Sequence, residues 1–195
     1  MNQVEETRSI YGYTYVVVMT QMGHRCGYVG ISKSHPLHGV KYSDPHPALK
    51  RSLVEKTPIG DRGIIPLVID AFRHDDDKDC VSPDVYFDVH GGITYSDSLN
   101  DYPIANDGSR WWFGFDCSHL GDAPDLQWLR DHGNEDDLHY REKYFSAFDG
   151  HVWTRAEVND QCVHLATQLF EVEELSKKPP DPKKTLIGGL DIEFP

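Results

Sequence analysis

Two short segments of the chain concentrate side chains that can carry chemistry. The first spans residues 90–95 and reads HGGITY; the second spans residues 111–122 and reads WWFGFDCSHLGD. In the second segment Asp116, His119 and Asp122 follow one another at intervals of three residues. Carboxylate and imidazole groups suit zinc, manganese or iron with positions left for water. The same groups also support general acid–base catalysis without a metal.

The residue types predict a role for each side chain. We expect the acid–base groups to be His90, Asp116 and His119. The predicted divalent-metal ligands (for Zn, Mn or Fe) are His90, Asp116, His119 and Asp122. Predicted ligand contacts are Trp112, which would stack on a substrate, with Thr94, Tyr95 and Asp88. A bound cation lowers the pKa of its water, so this set would favour attack on a phosphoester.

Strand alternation is what would bring the two segments together. In residues 84–95, Val85, Phe87 and Val89 alternate with polar residues, and two glycines then supply the positive φ of a hairpin turn. Residues 110–116 predict another strand. If both strands turn their apolar side chains to the core, the opposite face presents four residues, with a gap at Gly114 as a ligand floor. Those four are Asp88, His90, Trp112 and Asp116.

Plainer explanations of these residues stay open. Asp116 and His119 could be a hydrogen-bonded pair that ties the strand end to the loop, and Gly91-Gly92 could serve only as a turn. Cys117 is a further candidate, as a nucleophile, although the adjacent carboxylate raises the pKa of a thiol.

A second cluster lies near the N-terminus, where four potential zinc ligands fall within 15 residues. They are His24, Cys26, His35 and His38. Their spacing fits no standard zinc pattern, so a structural zinc is one interpretation and an ordinary loop is another. Such a loop could also cover the face of His90 and Asp116 as a lid.

The positioning elements predict a single α+β domain with an antiparallel sheet built from hairpins. Residues 11–20 and 25–32 predict two strands joined by a turn at Gly23. Thr154 and Glu157 match a capping box, and the apolar spacing that follows predicts a long C-terminal amphipathic helix ending near Leu175. We expect one domain over residues 1–175, followed by a Pro/Lys-rich linker and tail over residues 176–195.

Composition and charge limit the cellular locations and the classes of binding partner to be expected. The chain contains no run of about 18 apolar residues and no signal-peptide pattern, so we expect a cytoplasmic protein without a membrane span. Its four cysteines are widely spaced and predict free thiols. The net charge is -13, and the whole excess of acidic residues lies in residues 70–137. Such a field makes nucleic acid an unlikely partner and attracts cations or a basic protein.

The motifs resemble those of a family of small proteins encoded by phages and prophages. The resemblance rests on GHRCGYVGIS with a following His-Pro, on HGGITYS, on WWFGFDCSHLGD, and on a helix entered by a tryptophan and a capping threonine. It covers much of residues 12–170 and implies the cytoplasm of a bacterial host. It implies no activity, cofactor or catalytic residue, although phage proteins of this size commonly act on host defence or metabolism.

Two hypotheses follow for the function. The first is a phage accessory enzyme: a metal-dependent or His/Asp-based hydrolase of a phosphoester or nucleotide-like substrate. The second is a non-enzymatic counter-defence factor. It would bind a basic host protein through an acidic surface that includes Asp75, Asp76 and Asp77, or sequester a small nucleotide signal.

Overall fold

A five-stranded antiparallel sheet and a long C-terminal helix carry the fold. The computed structural model describes residues 2–54, 67–68, 71, 79–105, 108–133, 135–145, 149–178, 184–187 and 190–193. The architecture within these ranges is a mixed α+β domain, so the predicted fold class is confirmed.

The strands and helices have the following bounds. The strands are β1 (Gln3–Ile10), β2 (Tyr13–Met19), β3 (Arg25–Ile31), β4 (His46–Lys50), β5 (Cys80–Val81), β6 (Tyr95–Asp97), β7 (Trp111–Asp116), β8 (Lys184–Ile187) and β9 (Leu190–Glu193). The helices are α1 (Arg51–Val54), α2 (Pro83–Tyr86), α3 (Leu126–His132), α4 (Glu135–Phe145) and α5 (Arg155–Lys177). The main sheet has the order β1-β2-β3-β7-β6, and β4-β5 and β8-β9 form two-stranded ribbons.

The N-terminal hairpin is confirmed as β2 and β3, and β1 adds a strand ahead of it that the sequence analysis did not predict. Its glycines mark close approach of neighbouring groups. A Cβ at Gly27 would overlap the ring of Phe115 and the thiol of Cys162, and one at Gly30 would overlap Trp112. Because glycine has no side chain, these two positions let aromatic rings lie against both faces of β3.

Helix α5 forms as predicted and covers one face of the sheet. The Thr154 side chain accepts from the Glu157 N–H while the Glu157 side chain accepts from the Thr154 N–H, which completes the capping box. The helix runs two residues beyond the predicted end, to Lys177. Its buried side chains are Val158, Cys162, Leu165, Ala166, Leu169 and Val172. Burial of each large aliphatic side chain contributes roughly 1.5–3 kcal/mol.

The predicted hairpin over residues 84–95 is wrong. Pro83–Tyr86 is a helical turn, and β6 begins only at Tyr95 and pairs with β7. The alternation itself is real, since Val85, Phe87 and Val89 are all buried in the main core.

Side chains of α5 form the hydrogen bonds to the backbone of this segment that a partner strand would otherwise form. The amide of Gln168 accepts from the Asp88 N–H at 2.8 Å and donates to the Asp88 carbonyl at 2.9 Å. Gln161 accepts from the His90 N–H at 3.1 Å. A period of two therefore identified the buried residues correctly, but the hydrogen-bond partner belonged to a helix distant in sequence.

The two faces of the main sheet carry separate cores. The face toward α5 holds the larger one, which includes Trp111, Phe113 and Phe115. The opposite face holds a smaller cluster, with Tyr95, Tyr102 and Ile104 packed against it. Its buried members are Val16, Val18, Cys26, Tyr28 and Trp112. The predicted alternation of β7 is thus confirmed.

Asp75, Asp76 and Asp77, the acidic residues of the second hypothesis, lie outside the described residues. In the part of the chain that is described, no helix combines the length and the apolar character that a membrane crossing needs.

Candidate functional site

Two tight turns meet at the end of β7 and bring His90 and His119 together. In the first turn the Gly92 N–H bonds to the Val89 carbonyl, with Gly91 at φ 68°. In the second the Asp122 N–H bonds to the His119 carbonyl. The two imidazole rings meet edge to face with their centroids 5.2 Å apart.

Asp122 is the centre of this arrangement. Its side chain is only 4% exposed, and its carboxylate accepts three hydrogen bonds. Oδ2 accepts from His90 Nε2 at 2.8 Å and from the His119 backbone N–H at 2.7 Å, and Oδ1 accepts from Trp153 Nε1 at 2.9 Å. Burial by itself raises the pKa of Asp122, but these hydrogen bonds outweigh it, so the pKa lies below its ordinary value.

The ring of His119 presents a buried nitrogen to this carboxylate. Its Nδ1 is buried and has no hydrogen-bond partner among the described residues. Carboxylate oxygens lie just out of bonding reach, with Asp122 Oδ2 at 3.6 Å and Asp116 Oδ1 at 4.0 Å. A buried imidazole nitrogen without a partner is costly in a purely structural cluster.

Gly91 fixes where the His119 ring lies. The ring packs directly on the glycine, so that a Cβ built at position 91 would overlap three of its atoms. The HGG motif therefore does two things here: it supplies the positive φ of the turn, and it leaves room for an imidazole from the facing turn.

A tryptophan beyond the predicted site residues completes the cluster. Trp153 bonds to Asp122 and packs at a tilt against His90, with ring centroids 4.2 Å apart. Its carbonyl accepts from the guanidinium of Arg25 at 2.8 Å, and Arg25 is also paired with Glu5. The loop that holds Trp153 is further tied to Gly121 and Ala123 through the backbone of His151. Nothing in the local sequence around position 153 signals this role, since it depends on the approach of two turns that are distant in sequence.

The three groups have the spacing of a metal site. One ligand atom each from His90, His119 and Asp122 lie within 4.8 Å of one another, and no other such group of three occurs in the described ranges. Ligands about 2.1 Å from a tetrahedral zinc lie about 3.4 Å apart. The separations from Asp122 Oδ2, 2.8 Å to His90 and 3.6 Å to His119, bracket that value. His90, His119 and Asp122 could therefore hold a divalent cation.

Asp116, the fourth predicted ligand, lies beside this group and not within it. Its Oδ2 accepts from the Thr94 hydroxyl at 2.9 Å and its Oδ1 from the Ser118 N–H at 3.1 Å. The side chain is about a third exposed, so Asp116 and Thr94 form the solvent-facing edge of the site.

The predicted shared face is otherwise wrong, because it depended on the hairpin that does not form. Trp112 is fully buried in the smaller core, away from solvent. The gap at Gly114 is filled by the ring of Tyr28, which lies against it. Tyr95 packs on Tyr28 with its hydroxyl buried, and Asp88 faces His164 of α5, with Oδ2 3.9 Å from Nε2.

The N-terminal cluster does not assemble as a zinc site. His24 bonds to the Cys117 carbonyl, Cys26 lies in the smaller core, and His35 bonds to the carbonyl of Leu169 on α5. His38 lies beside Trp111, with ring centroids 6.1 Å apart.

Burial also determines how reactive the cysteine thiols are. All four cysteines are free and buried, as the predicted reduced state requires. Burial raises the pKa of the Cys117 thiol, and nearby carboxylates raise it further, so it lacks the thiolate character of a nucleophile.

Comparisons with protein-family models, with curated protein sequences and with solved structures find no match to this chain.

Proposed function

We propose that His90, His119 and Asp122 bind one divalent cation, and that the protein is a hydrolase of a small phosphoester or nucleotide-like substrate. The observation that carries the proposal is the buried Nδ1 of His119, which has no hydrogen-bond partner among the described residues and faces the Asp122 carboxylate. Two imidazoles and one carboxylate leave coordination positions for water and substrate.

Each residue of the chain has a defined part in this proposal. Trp153 occupies Oδ1 of Asp122, so that Oδ2 is the oxygen turned to the two imidazoles. A hydrogen-bond partner of this kind holds a metal-binding side chain in one orientation and keeps its carboxylate charged. Asp116 stands at the open edge, where a carboxylate can take a proton from an attacking water. The cation would lower the pKa of that water, and it would stabilise negative charge on the phosphoester oxygen.

A metal-free version of the same hydrolysis is the second candidate. It is favoured by the 2.8 Å hydrogen bond between His90 Nε2 and Asp122, in which a buried carboxylate orients an imidazole. His90 would then act as the general base. Resistance of the activity to a chelator distinguishes this version from the metal-dependent one.

Zinc and manganese titrations of chelator-treated protein by calorimetry test the metal site. We expect one cation per chain. His119→Ala and His90→Ala should weaken its binding more than about 100-fold, because each removes one of three ligands. His139→Ala on α4 is the matched control, since His139 is exposed and outside the cluster. Equal binding by all variants, or no binding by the wild type, contradicts the site.

Hydrolysis is tested with bis(4-nitrophenyl) phosphate and cyclic nucleotides, with and without metal and chelator. Turnover that needs the metal and is lost in His119→Ala supports the enzyme. Nucleotide binding without product contradicts an enzyme and supports the non-enzymatic alternative, sequestration of a nucleotide signal. The other alternative, an acidic surface for a basic host protein, rests on Asp75, Asp76 and Asp77, outside the described residues. A phage or host-cytoplasm setting is proposed on the sequence resemblance only.

A further inference from the structure

The loop that carries His119 and Asp122 is held at its first end by the turn between β2 and β3. The Cys117 N–H donates to the Arg25 carbonyl at 3.0 Å, and the Cys117 carbonyl bonds to the ring of His24 at 2.8 Å. His24 is buried, so its bond is shielded from water. Groups of one short turn therefore fix the backbone at the point where the loop leaves β7.

The same turn holds the far end of this loop. The Asp125 N–H donates to the Gly23 carbonyl at 2.8 Å, and the Asp125 carboxylate pairs with the guanidinium of Arg25 at 3.3 Å. Gly23 has φ 78°, and a Cβ built there would lie 3.0 Å from the side chain of Leu129. Glycine at this position therefore lets the turn approach both the loop and α3.

Arg25 extends these contacts to the loop of Trp153. Its side chain is 10% exposed, and its guanidinium donates four hydrogen bonds. Two of them go to the Glu5 carboxylate at 2.7 and 3.0 Å, one goes to Asp125, and one goes to the Trp153 carbonyl at 2.8 Å. Because the N–H groups of a planar guanidinium are fixed relative to one another, the bonds to Glu5 also direct the N–H that reaches Trp153.

Trp153 carries this constraint to the candidate ligands. Its Nε1–H donates to Asp122 Oδ1 at 2.9 Å, and its ring packs against His90. The other oxygen, Oδ2, faces the rings of His90 and His119. The orientation of the carboxylate therefore depends on a tryptophan outside the group of ligands, and Arg25 holds the carbonyl of that tryptophan.

We propose that Arg25 is a positioning residue, which acts through Trp153 to hold the Asp122 carboxylate with Oδ2 turned to the two imidazoles. This orienting role is independent of the proposed function, whereas an effect on metal affinity rests on it. The GHR segment, residues 23–25, thereby gains a role in place of the zinc ligation predicted for His24. Hydrogen-bond partners of metal-binding side chains commonly change metal affinity by tenfold to 100-fold.

Two matched variants separate Arg25 from its ion pair. Glu5→Gln keeps the bond from Arg25 to Trp153, whereas Glu5→Gln/Arg25→Gln removes it without leaving a Glu5 carboxylate unpaired. In metal-free protein the indole N–H resonance of Trp153, identified by its absence in Trp153→Phe, should shift upfield and exchange faster with solvent in the double variant only. The Trp111 indole N–H, which donates to the Val40 carbonyl, is the internal control and should not move.

Arg25→Lys is the milder change, because it keeps a positive charge beside the carboxylates of Glu5 and Asp125. Its ammonium group has three donors and no fixed fork, so the Trp153 resonance should lie between those of the wild type and the double variant. A Trp153 resonance at the wild-type position in either Arg25 variant overturns the proposal.

Zinc titrations by calorimetry measure the effect on the candidate metal site. Glu5→Gln should bind zinc as the wild type does, and Glu5→Gln/Arg25→Gln should bind it about tenfold more weakly. Addition of Trp153→Phe to the double variant should lower the affinity no further than Trp153→Phe does alone, because Arg25 acts through Trp153. Additive losses contradict that route.

The two measurements also separate this proposal from the proposed function. If the wild type and Glu5→Gln/Arg25→Gln bind zinc equally well, Arg25 does not position the metal site and the proposed function stands. If the wild type binds no zinc but the Trp153 resonance shifts as expected, the proposed function fails while the orienting role of Arg25 is supported.

Discussion

Two histidines of this protein each have a buried ring nitrogen but differ in what that nitrogen contacts. His35 is 3% exposed, and both nitrogens are bonded: Nε2 to the Leu169 carbonyl at 3.0 Å and Nδ1 to the Leu37 N–H at 3.0 Å. His119 also has a buried ring nitrogen, yet its Nδ1 has no hydrogen-bond partner in the described ranges and faces carboxylates instead.

The difference separates a histidine that holds the fold from one that is available to a ligand. At the His35 corner the imidazole links the Leu37 N–H to a carbonyl of α5, and burial lowers its pKa, which favours the neutral ring. At the His119 corner the ring is positioned by packing on Gly91, and its Nδ1 makes no hydrogen bond to the described residues. Changes at the two corners should therefore affect different measurements.

The largest effect is expected for Gly91→Ala. The residue has φ 68° and the His119 ring lies directly on it, so the new methyl adds a left-handed backbone cost to a clash. We expect a loss of about 3–4 kcal/mol in the free energy of unfolding, measured by urea denaturation. Gly39→Ala is the control with a similar φ, 86°, and nothing within 4 Å of the new Cβ; it should lose only about 1–2 kcal/mol.

The double variant Gly91→Ala/His119→Ala sharpens this prediction. Removal of the ring should restore the loss to that of Gly39→Ala, because only the backbone cost remains. A double variant as unstable as Gly91→Ala itself would falsify the packing of His119 on Gly91 as the cause.

His35→Ala should come next. It leaves the Leu37 N–H and the Leu169 carbonyl without their side-chain partner in a buried corner, at a cost of about 2–3 kcal/mol. Metal affinity in calorimetry should not change. A variant of wild-type stability, or one with weakened metal binding, would remove the contrast between the two corners.

His119→Ala should show the opposite pattern. Its ring makes no hydrogen bond through Nδ1 and its side chain is about a third exposed, so we expect a stability loss of no more than about 1 kcal/mol. Metal binding should weaken more than about 100-fold. A large loss of stability with metal binding retained would identify His119 as a structural residue like His35.

The smallest effect concerns the pH dependence of stability. Because burial holds the pKa of His35 below its ordinary value of 6.5, the unfolded chain takes up a proton near pH 6.5 that the folded chain does not. Its contribution to stability is therefore complete above pH 6.5 and is lost as the pH falls through the folded pKa. Urea denaturation at pH 7, 6 and 5 should show a smaller decline in His35→Ala than in the wild type; parallel declines would contradict the burial of a neutral ring.

Much of the candidate site follows from local patterns. His90, His119 and Asp122 were all identified, because residue type and turn spacing are properties of a few neighbouring residues. Asp88 and Trp112 were placed on the same face by assuming that residues 84–90 pair with a strand. The backbone of Asp88 and of His90 is instead bonded to Gln168 and Gln161, some 70–80 residues away in the chain. No local pattern encodes that choice of partner.

The sequence by itself determined the α+β class, the capping box and buried stripe of α5, the alternation of β7, and the glycine turn at His90, since each depends on short-range periodicity or backbone freedom. Only the tertiary structure decided that the two turns face each other. It also decided that Trp153 orients Asp122, and that Nδ1 of His119 is left without a hydrogen-bond partner among the described residues while both nitrogens of His35 are bonded. Those outcomes depend on which groups, distant in sequence, lie next to a buried polar atom. Such an atom needs a hydrogen-bond partner within the protein only after the chain has packed and excluded water.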